Sequence, residues 1–491
     1  MHYELWLLLL IPFVAGISVI FFHSIKTILW LMTGSIIISS LIGLRIYFLL
    51  PQHGSLFAGN NWLFVDSLSV YHILVMLLIY LLSTLYSLVY LQEEITHGDF
   101  GLKQIKIYAS LWCESLAAMT LVLISNNLAI MWVGMETTTL VTAFLISIHV
   151  TSVSLEAMWK YLLICSVGVA FAFMGTLLAA ASTQGLHIPA ENTLLWTELL
   201  HAAPHLNVHL LKFSFIFVLV GFGTKAGLAP MHNWLPDAHS QAPAPVSAIF
   251  SGFMLNAALY CIIRYIPIVE TATGDTGWVS DLLLIFGTIS ILVASAFILM
   301  QHDLKRLLAY HSIEHLGIIV LGLGLGGIGV FAALFHILNH SICKTLSFFA
   351  AGRLGQFIGT HDMRKMAGIR KISPIWSIGI FGSLLALIGI APFSIFMSEF
   401  LIMKAAVTNG NYLVFILFLV GSGIVFVGAL GHAIPLFWGT YEGDMQEQKA
   451  SFIECGIVGF VFTVLLVLGL WMPNLLHTVL SDSANIISNI Q

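Results

Sequence analysis

Apolar residues in this chain gather in long runs separated by short polar stretches. Runs of roughly 18 or more apolar residues are long enough to cross the hydrocarbon of a bilayer as helices. Fourteen such runs are found, at about 4–22, 27–49, 66–91, 105–125, 127–147, 158–182, 209–230, 244–266, 278–300, 305–325, 327–352, 375–400, 412–438 and 453–475. The pattern predicts an all-α polytopic membrane protein. The first run lacks a positive leader and a small-residue cleavage site, so it is expected to be retained as a span.

Two runs are interrupted in the same way. FSFIFVLVGFGTKAGLAP breaks at Gly227-Leu228-Ala229-Pro230, beside Lys225. SIGIFGSLLALIGIAPFSIFMSEF breaks at Gly389-Ile390-Ala391-Pro392, with Glu399 just beyond. The two breaks lie 162 residues apart. Paired interrupted helices in corresponding positions of two halves point to an ion pathway near the middle of a membrane. Buried lysine and glutamate make the expected ion a proton, since both can be shifted by their surroundings to exchange protons near neutral pH.

Composition agrees and narrows the function. Hydrophobic residues make up 59% of the chain and charged residues 8%, too few to cover a water-facing surface. A net charge of −5 over 491 residues suggests no nucleic-acid partner. The five cysteines, Cys113, Cys165, Cys261, Cys343 and Cys455, form no CxxC pair, which argues against an iron–sulfur or structural zinc ligand set within this chain. Neither a P-loop nor a GxGxxG opening a βαβ unit is present, and GLGLGG at 322–327 reads as a helix-end turn. No cofactor and no resident metal are expected. Twelve Lys and Arg residues fall nearest the odd-numbered loops and four nearest the even ones, with five cations in the loop 353–374. The positive-inside rule then puts odd loops in the cytoplasm and both termini outside, in an inner membrane.

A charge in hydrocarbon costs at least ~2.5–3.5 kcal/mol on insertion scales, so each one within a span needs a reason. Glu136 stands alone in AIMWVGMETTTLVTAFLI, and Lys225 is its expected partner. A carboxylate that approaches or leaves a lysine could switch it between holding and releasing a proton. After Lys225 the stretch AGLAPMHNWLPDAHSQAPAPV carries His232, Asp237, His239, Ser240 and Gln241 among four prolines. Such backbone survives at membrane depth only where protein or water solvates it. His336, His340 and Lys344 recur four residues apart, on one helical face, and suit a relay through bridging waters. Polar groups simply bonded across the bundle are the plainer account. His311, Glu314 and His315 cluster in the same way in LLAYHSIEHLG. The His-x-x-x-His spacing could hold zinc, but sequence offers no further ligand. Glu399 is the expected exit group, Lys404 a snorkelling helix-end cation, and Glu114 lies about one turn into its span.

Several of these segments carry a family resemblance. TKAGLAPMHNWLPDAHSQAPAPVSAIFSG, LKRLLAYHSIEHLGII and FHILNHSICKTLSFFAAG resemble helices seven to eight, ten and eleven of the proton-conducting, antiporter-like subunits of respiratory complex I. The resemblance covers about residues 65 to 405, and DAHSQAPAPVSA and YHSIEHLG look closest to component F of hydrogenase-4-type complexes. It implies two inverted five-helix repeats with broken helices 7 and 12. The chain would divide into helices 1–3 (1–104), a first repeat (105–266), a second repeat (278–438), and helix 14 with its tail (453–491). It also implies proton-relay roles for Glu136, Lys225, Lys344 and Glu399; His232, His311, Glu314, His315, His336 and His340, read from the residues themselves, complete the expected relay, and Gly227, Pro230, Gly389 and Pro392 form the breaks. Asn256 stands where many complex I members carry a bridging lysine, so the bridge would fall to water or to the histidines.

The expected function is that of a proton-translocating subunit of a redox-driven complex, hydrogenase-4-like or NADH:quinone-like, with no catalysis of its own. Its partners would be other membrane subunits, a peripheral redox arm reached through them, and membrane lipid. A subunit of a cation/proton antiporter, or of an inorganic-ion uptake system, is the alternative. A structural subunit with a vestigial polar axis is the third reading, and the retained Glu136, Lys225, Lys344 and Glu399 argue against it.

Overall fold

A computed structural model describes residues 2–440 and 447–488. The order is α1 (Tyr3–Ser18), α2 (Ile25–His53), a hairpin of β1 (Leu56–Ala58) and β2 (Leu63–Val65), α3 (Ser67–His97), α4 (Leu102–Ile124), α5 (Leu128–Ile146) and α6 (Ser152–Ala181). There follow the short α7 (Trp196–Ala202), α8 (Val208–Ala226), α9 (Trp234–Gln241), α10 (Ala244–Ile249) and α11 (Leu255–Thr273). The second half holds α12 (Gly277–Ile298), α13 (Leu304–Leu325), α14 (Ile328–Ile358), α15 (Pro374–Leu387), α16 (Ser394–Thr408), α17 (Tyr412–Trp438), α18 (Phe452–Leu470) and α19 (Asn474–Ile487).

Side-chain caps set several starts. Asp66 accepts from Ser69 N before α3, Asn127 from Ala129 N and Ile130 N before α5, and Asp303 from Arg306 N before α13. Ser451 and Glu454 close a capping box on α18.

Among the described residues, twelve helical stretches are long and apolar enough to span, against fourteen expected. The two that fall short are the most polar-interrupted. α14 runs for 31 residues but carries His336, Asn339, His340, Lys344 and Arg353. The run 375–400 is divided into α15 and α16. α14 also continues past the expected end at 352, so Arg353 lies in a helix rather than in the loop. The hairpin, α7 and the amphipathic α19 are elements that the apolar runs do not predict.

Burial separates axis from rim. The apolar windows of Ala244–Thr273 and α13 are wholly enclosed by protein, whereas those of α17 and α18 are only 28% and 33% buried. The polar spans are therefore central and the uniformly apolar ones lie at the rim.

Loops of equal parity meet. Leu63 bridges to Ser125 and Asn127 to Leu195, and Asn126 N donates to Trp62 O at 2.8 Å, which ties together the even loops 2, 4 and 6. At the other end Asp303 bridges to Asp362, and Leu304 N donates to His361 O at 2.9 Å, joining odd loops 9 and 11. There the hydrogen bonds and charge of Arg364 hold the Asp362 carboxyl down to about 2.

Candidate functional site

α8 ends at Ala226 because Gly227 turns left-handed, with φ 81°, and its N–H closes on Thr224 O. The chain resumes helix only at Trp234, after a cis Ala229-Pro230 bond. α15 ends in the same manner: Gly389 has φ 68°, Ala391-Pro392 is cis, and helix resumes at Ser394. The last turn of α8 thereby places Lys225 wholly within protein, its Nζ donating to Thr139 Oγ1 at 2.9 Å and to the Tyr161 hydroxyl. Tyr161 in turn lies 2.6 Å from Thr142 Oγ1.

Glu136 sits one turn before Thr139 on α5 and takes a 2.7 Å hydrogen bond from Ser166 Oγ on α6. Its other oxygen, Oε2, is buried without a partner. In this conformation Glu136 makes no ion pair with Lys225; the carboxylate expected to approach and leave the lysine stands away from it. Two hydroxyl residues stand next to the lysine instead, and the carboxylate is held a turn away by a serine that no charge count could identify.

Within the eighth span, residues Phe250–Met254 form a π-helical turn joining α10 to α11. Such turns gather at functional sites because they re-aim side chains within a helix. Here Ser251 Oγ reaches Ser312 Oγ at 2.7 Å, next to His311. Asn256 Nδ2 donates to Ser341 Oγ at 3.0 Å and to Gly252 O, leaving its Oδ1 buried and free.

The second half is a chain of buried groups. His311 Nδ1 lies 3.1 Å from Glu314 Oε2, and the rings of His311 and His315 are 6.4 Å apart. His315 Nδ1 lies 2.9 Å from His336 Nε2, and His336 Nδ1 lies 2.9 Å from Ser398 Oγ. Ligand atoms of His315, His336 and Glu399 fall within 4.8 Å of one another. Gly389 makes room for the Glu399 carboxylate: a Cβ there would stand 2.3 Å from Oε2. Lys344 Nζ donates to the Leu308 carbonyl. His336, His340 and Lys344 do share a face, but the bonds of this face run to α13 and α16 rather than along α14. The His340 ring stands 5.3 Å from that of His315, with both nitrogens unpartnered.

The remaining candidates from sequence are placed unevenly. His232 is buried beside Phe297 and Tyr310, its Nδ1 without a partner and outside the bonded line. Lys404 is exposed, as expected of a snorkelling cation, and Glu114 is half-buried against Gly16 of α1. Three groups take places that sequence reasoning did not assign. At the odd-loop end Asp237 is clamped by Lys160 at 3.0 Å and Arg306 at 2.6 Å. Just inside it His239 is fully buried, stacked on Phe348, with neither nitrogen bonded. At the even-loop end Arg264 grips Asp66 through two bonds of 2.6 and 2.7 Å and donates to Ser69 and Tyr260.

Known proteins share this architecture. The family model described as NADH:quinone oxidoreductase/Mrp antiporter, TM, matches residues 125–425. The hydrogenase-4 component F homolog of Methylacidiphilum infernorum is 36% identical over 450 residues, which cover 91% of this chain and 92% of that protein. Hydrogenase-4 component B of Escherichia coli is 31% identical over 68% of this chain, which spans about half (49%) of its length. Among solved structures, a chain of the Mrp complex from Dietzia superposes with a TM-score of 0.87 at 20% identity, covering 100% of this chain and 98% of that one. A chain of the archaeal membrane-bound sulfane sulfur reductase gives 0.86 at 24% identity, covering 99% and 97%. Respiratory complex I from Thermus thermophilus gives 0.74 at 23%, covering 95% and 97%. The structural likenesses bear on the fold alone; the family match and the 36% identity establish that the chain belongs to the antiporter-like membrane-subunit family shared by NADH:quinone oxidoreductase and Mrp antiporters.

Proposed function

We propose that this chain moves protons across an inner membrane as one subunit of a redox-driven complex of hydrogenase-4 or NADH:quinone type. The observation that carries the reading is the line of buried exchangeable groups that starts at Lys225, beside one broken helix, and ends at Glu399, beside the other. Glu136 acts on Lys225 through position. When its carboxylate swings toward the amine the charged lysine is stabilised, and when it returns to Ser166 the proton is released inward. Tyr161 and Thr139 hold the amine and offer the first acceptors. The serines and Asn256 around the π turn, with bridging water, carry the proton to the histidines. His311, Glu314, His315 and His336 pass it on to Glu399, while Lys344 biases the second half electrostatically.

The two segments 105–266 and 278–438 act as inverted repeats. The matching left-handed glycines of their breaks, 162 residues apart, support that division. Other membrane subunits flank the chain and couple it to a peripheral redox arm, and lipid covers the remaining rim.

A second reading, a subunit of a cation/proton antiporter, draws on the Na(+)/H(+) antiporter subunit A1 of Staphylococcus aureus. It is 28% identical over 99% of this chain, which spans 60% of that protein. The deciding measurement is proton pumping by inverted vesicles carrying the whole complex. Lys225→Ala and Glu136→Gln are expected to abolish the gradient while the complex stays assembled and continues to turn over electrons. Unchanged pumping in both variants would remove the relay assignment. A gradient that forms only with sodium present, and without electron transfer, would favour the antiporter.

A further inference from the structure

We propose that His315, His336 and Glu399 form a binding site for a zinc-class transition-metal ion, set across the proton line. The ligands come from three helices, α13, α14 and α16, that no sequence spacing connects. One ligand atom from each lies within 4.8 Å of the others, and all three side chains are buried. His315 Nδ1 and His336 Nε2 already stand 2.9 Å apart. Two ligands on a tetrahedral zinc, each bonded at 2.0–2.1 Å, are separated by roughly 3.3 Å, so the two imidazoles need part by only about half an ångström, and the Glu399 carboxylate closes in to complete the set.

Further observations point to a ligand here. His315 Nε2 and both nitrogens of His340 are buried with no hydrogen-bond partner, and the His340 ring is 5.3 Å from that of His315. His340 thus lines the site beside His315, outside the group of three ligand atoms. The outer shell also resembles that of a metal centre: His336 gives its second nitrogen to Ser398 Oγ, which Asn339 Nδ2 steadies at 3.2 Å. A partner on the far nitrogen fixes ring orientation and tautomer at such centres. Two or three imidazoles with a single carboxylate select zinc-like ions over magnesium or calcium, which prefer oxygen.

Metal binding requires neutral imidazoles and an ionised carboxylate, so its occupancy displaces protons from the groups that would carry them. If the relay assignment above holds, the bound ion is a reversible block of its second half. The alternative triad, His311 with Glu314 and His315, shares one ligand but comes from α13 alone, whereas the proposed set joins three helices.

The test uses the full-length chain, tag-free in detergent, titrated with Co2+ as a spectroscopic probe and then with Zn2+. The expected result is one equivalent of cobalt with the visible absorption of a four-coordinate ion, displaced by zinc. His336→Asn and Glu399→Gln should each weaken binding on the order of 100-fold, at least as much as loss of an outer-shell partner does. His311→Asn should leave it within a few-fold. Glu399→Asp, which keeps the carboxylate, should retain the ion with an altered spectrum, and it serves where Glu399→Gln fails to fold. Absence of the band, or equal affinity in wild type, His336→Asn and Glu399→Gln, overturns the site. Pumping in metal-free buffer reads the relay separately, so either result can fail without the other.

Discussion

Asp66 and Arg264 show what a single buried charge demands. Their side chains are only 8% and 4% exposed, and the guanidinium also lies 4.6 Å over the Trp196 ring. Removing one partner strands the other, which costs about 3–5 kcal/mol in a buried pair. Asp66→Asn should therefore lower the thermal unfolding temperature of the detergent-solubilised protein markedly. An unchanged midpoint would mean that the pair is solvated. Lys225, Lys344 and Glu399 are legible in the sequence because charge is rare within spans. Tyr161, Ser166 and Ser398 are not, since hydroxyl residues are common in membrane helices and only packing decides where they point. The same limit leaves the geometry of Glu136 and Lys225 unread: rarity singles out two charges but says nothing of the distance between them.

The helices themselves can be read closely, and the interruptions best of all. GLAP and GIAP each combine a residue free to turn left-handed with one that cannot donate a backbone hydrogen bond. Gly389 does more than turn the chain, because its missing side chain is the space that Glu399 fills. Gly389→Ala should push the carboxylate out of line with His336 and strain the φ of 68°. A loss of pumping at least as deep as that of Glu399→Gln, measured in vesicles with normal amounts of the subunit, is expected; full pumping would show that the carboxylate position is immaterial. The hairpin escapes notice because strands of three residues carry too little alternation to register. α14 reads short in the sequence because Arg353 looks like a loop cation. Within the structure it bonds Glu454 at 2.8 Å and Glu93 at 3.3 Å, so its charge is answered inside the fold.

Across the whole molecule, loops of equal parity gather at one end, and the charge bias proposes the odd-loop end as the cytoplasmic one. Cysteines introduced as Arg364→Cys and Asn192→Cys test it directly with a membrane-impermeant maleimide. The first should label only in inverted vesicles and the second only in right-side-out ones; the reverse pattern would invert the topology. The two ends are fastened by different means. The even-loop end is sewn by backbone bridges and a dry ion pair, whereas the odd-loop clamp of Lys160, Asp237 and Arg306 has cations 45% and 44% exposed. Dissolved ions screen exposed charges within about 8–10 Å at ordinary ionic strength and hardly reach buried ones. Ionic strength thus becomes a lever with one handle. It slackens the clamp just after the first break from the odd-loop side, and leaves the Asp66–Arg264 lock at the other end untouched.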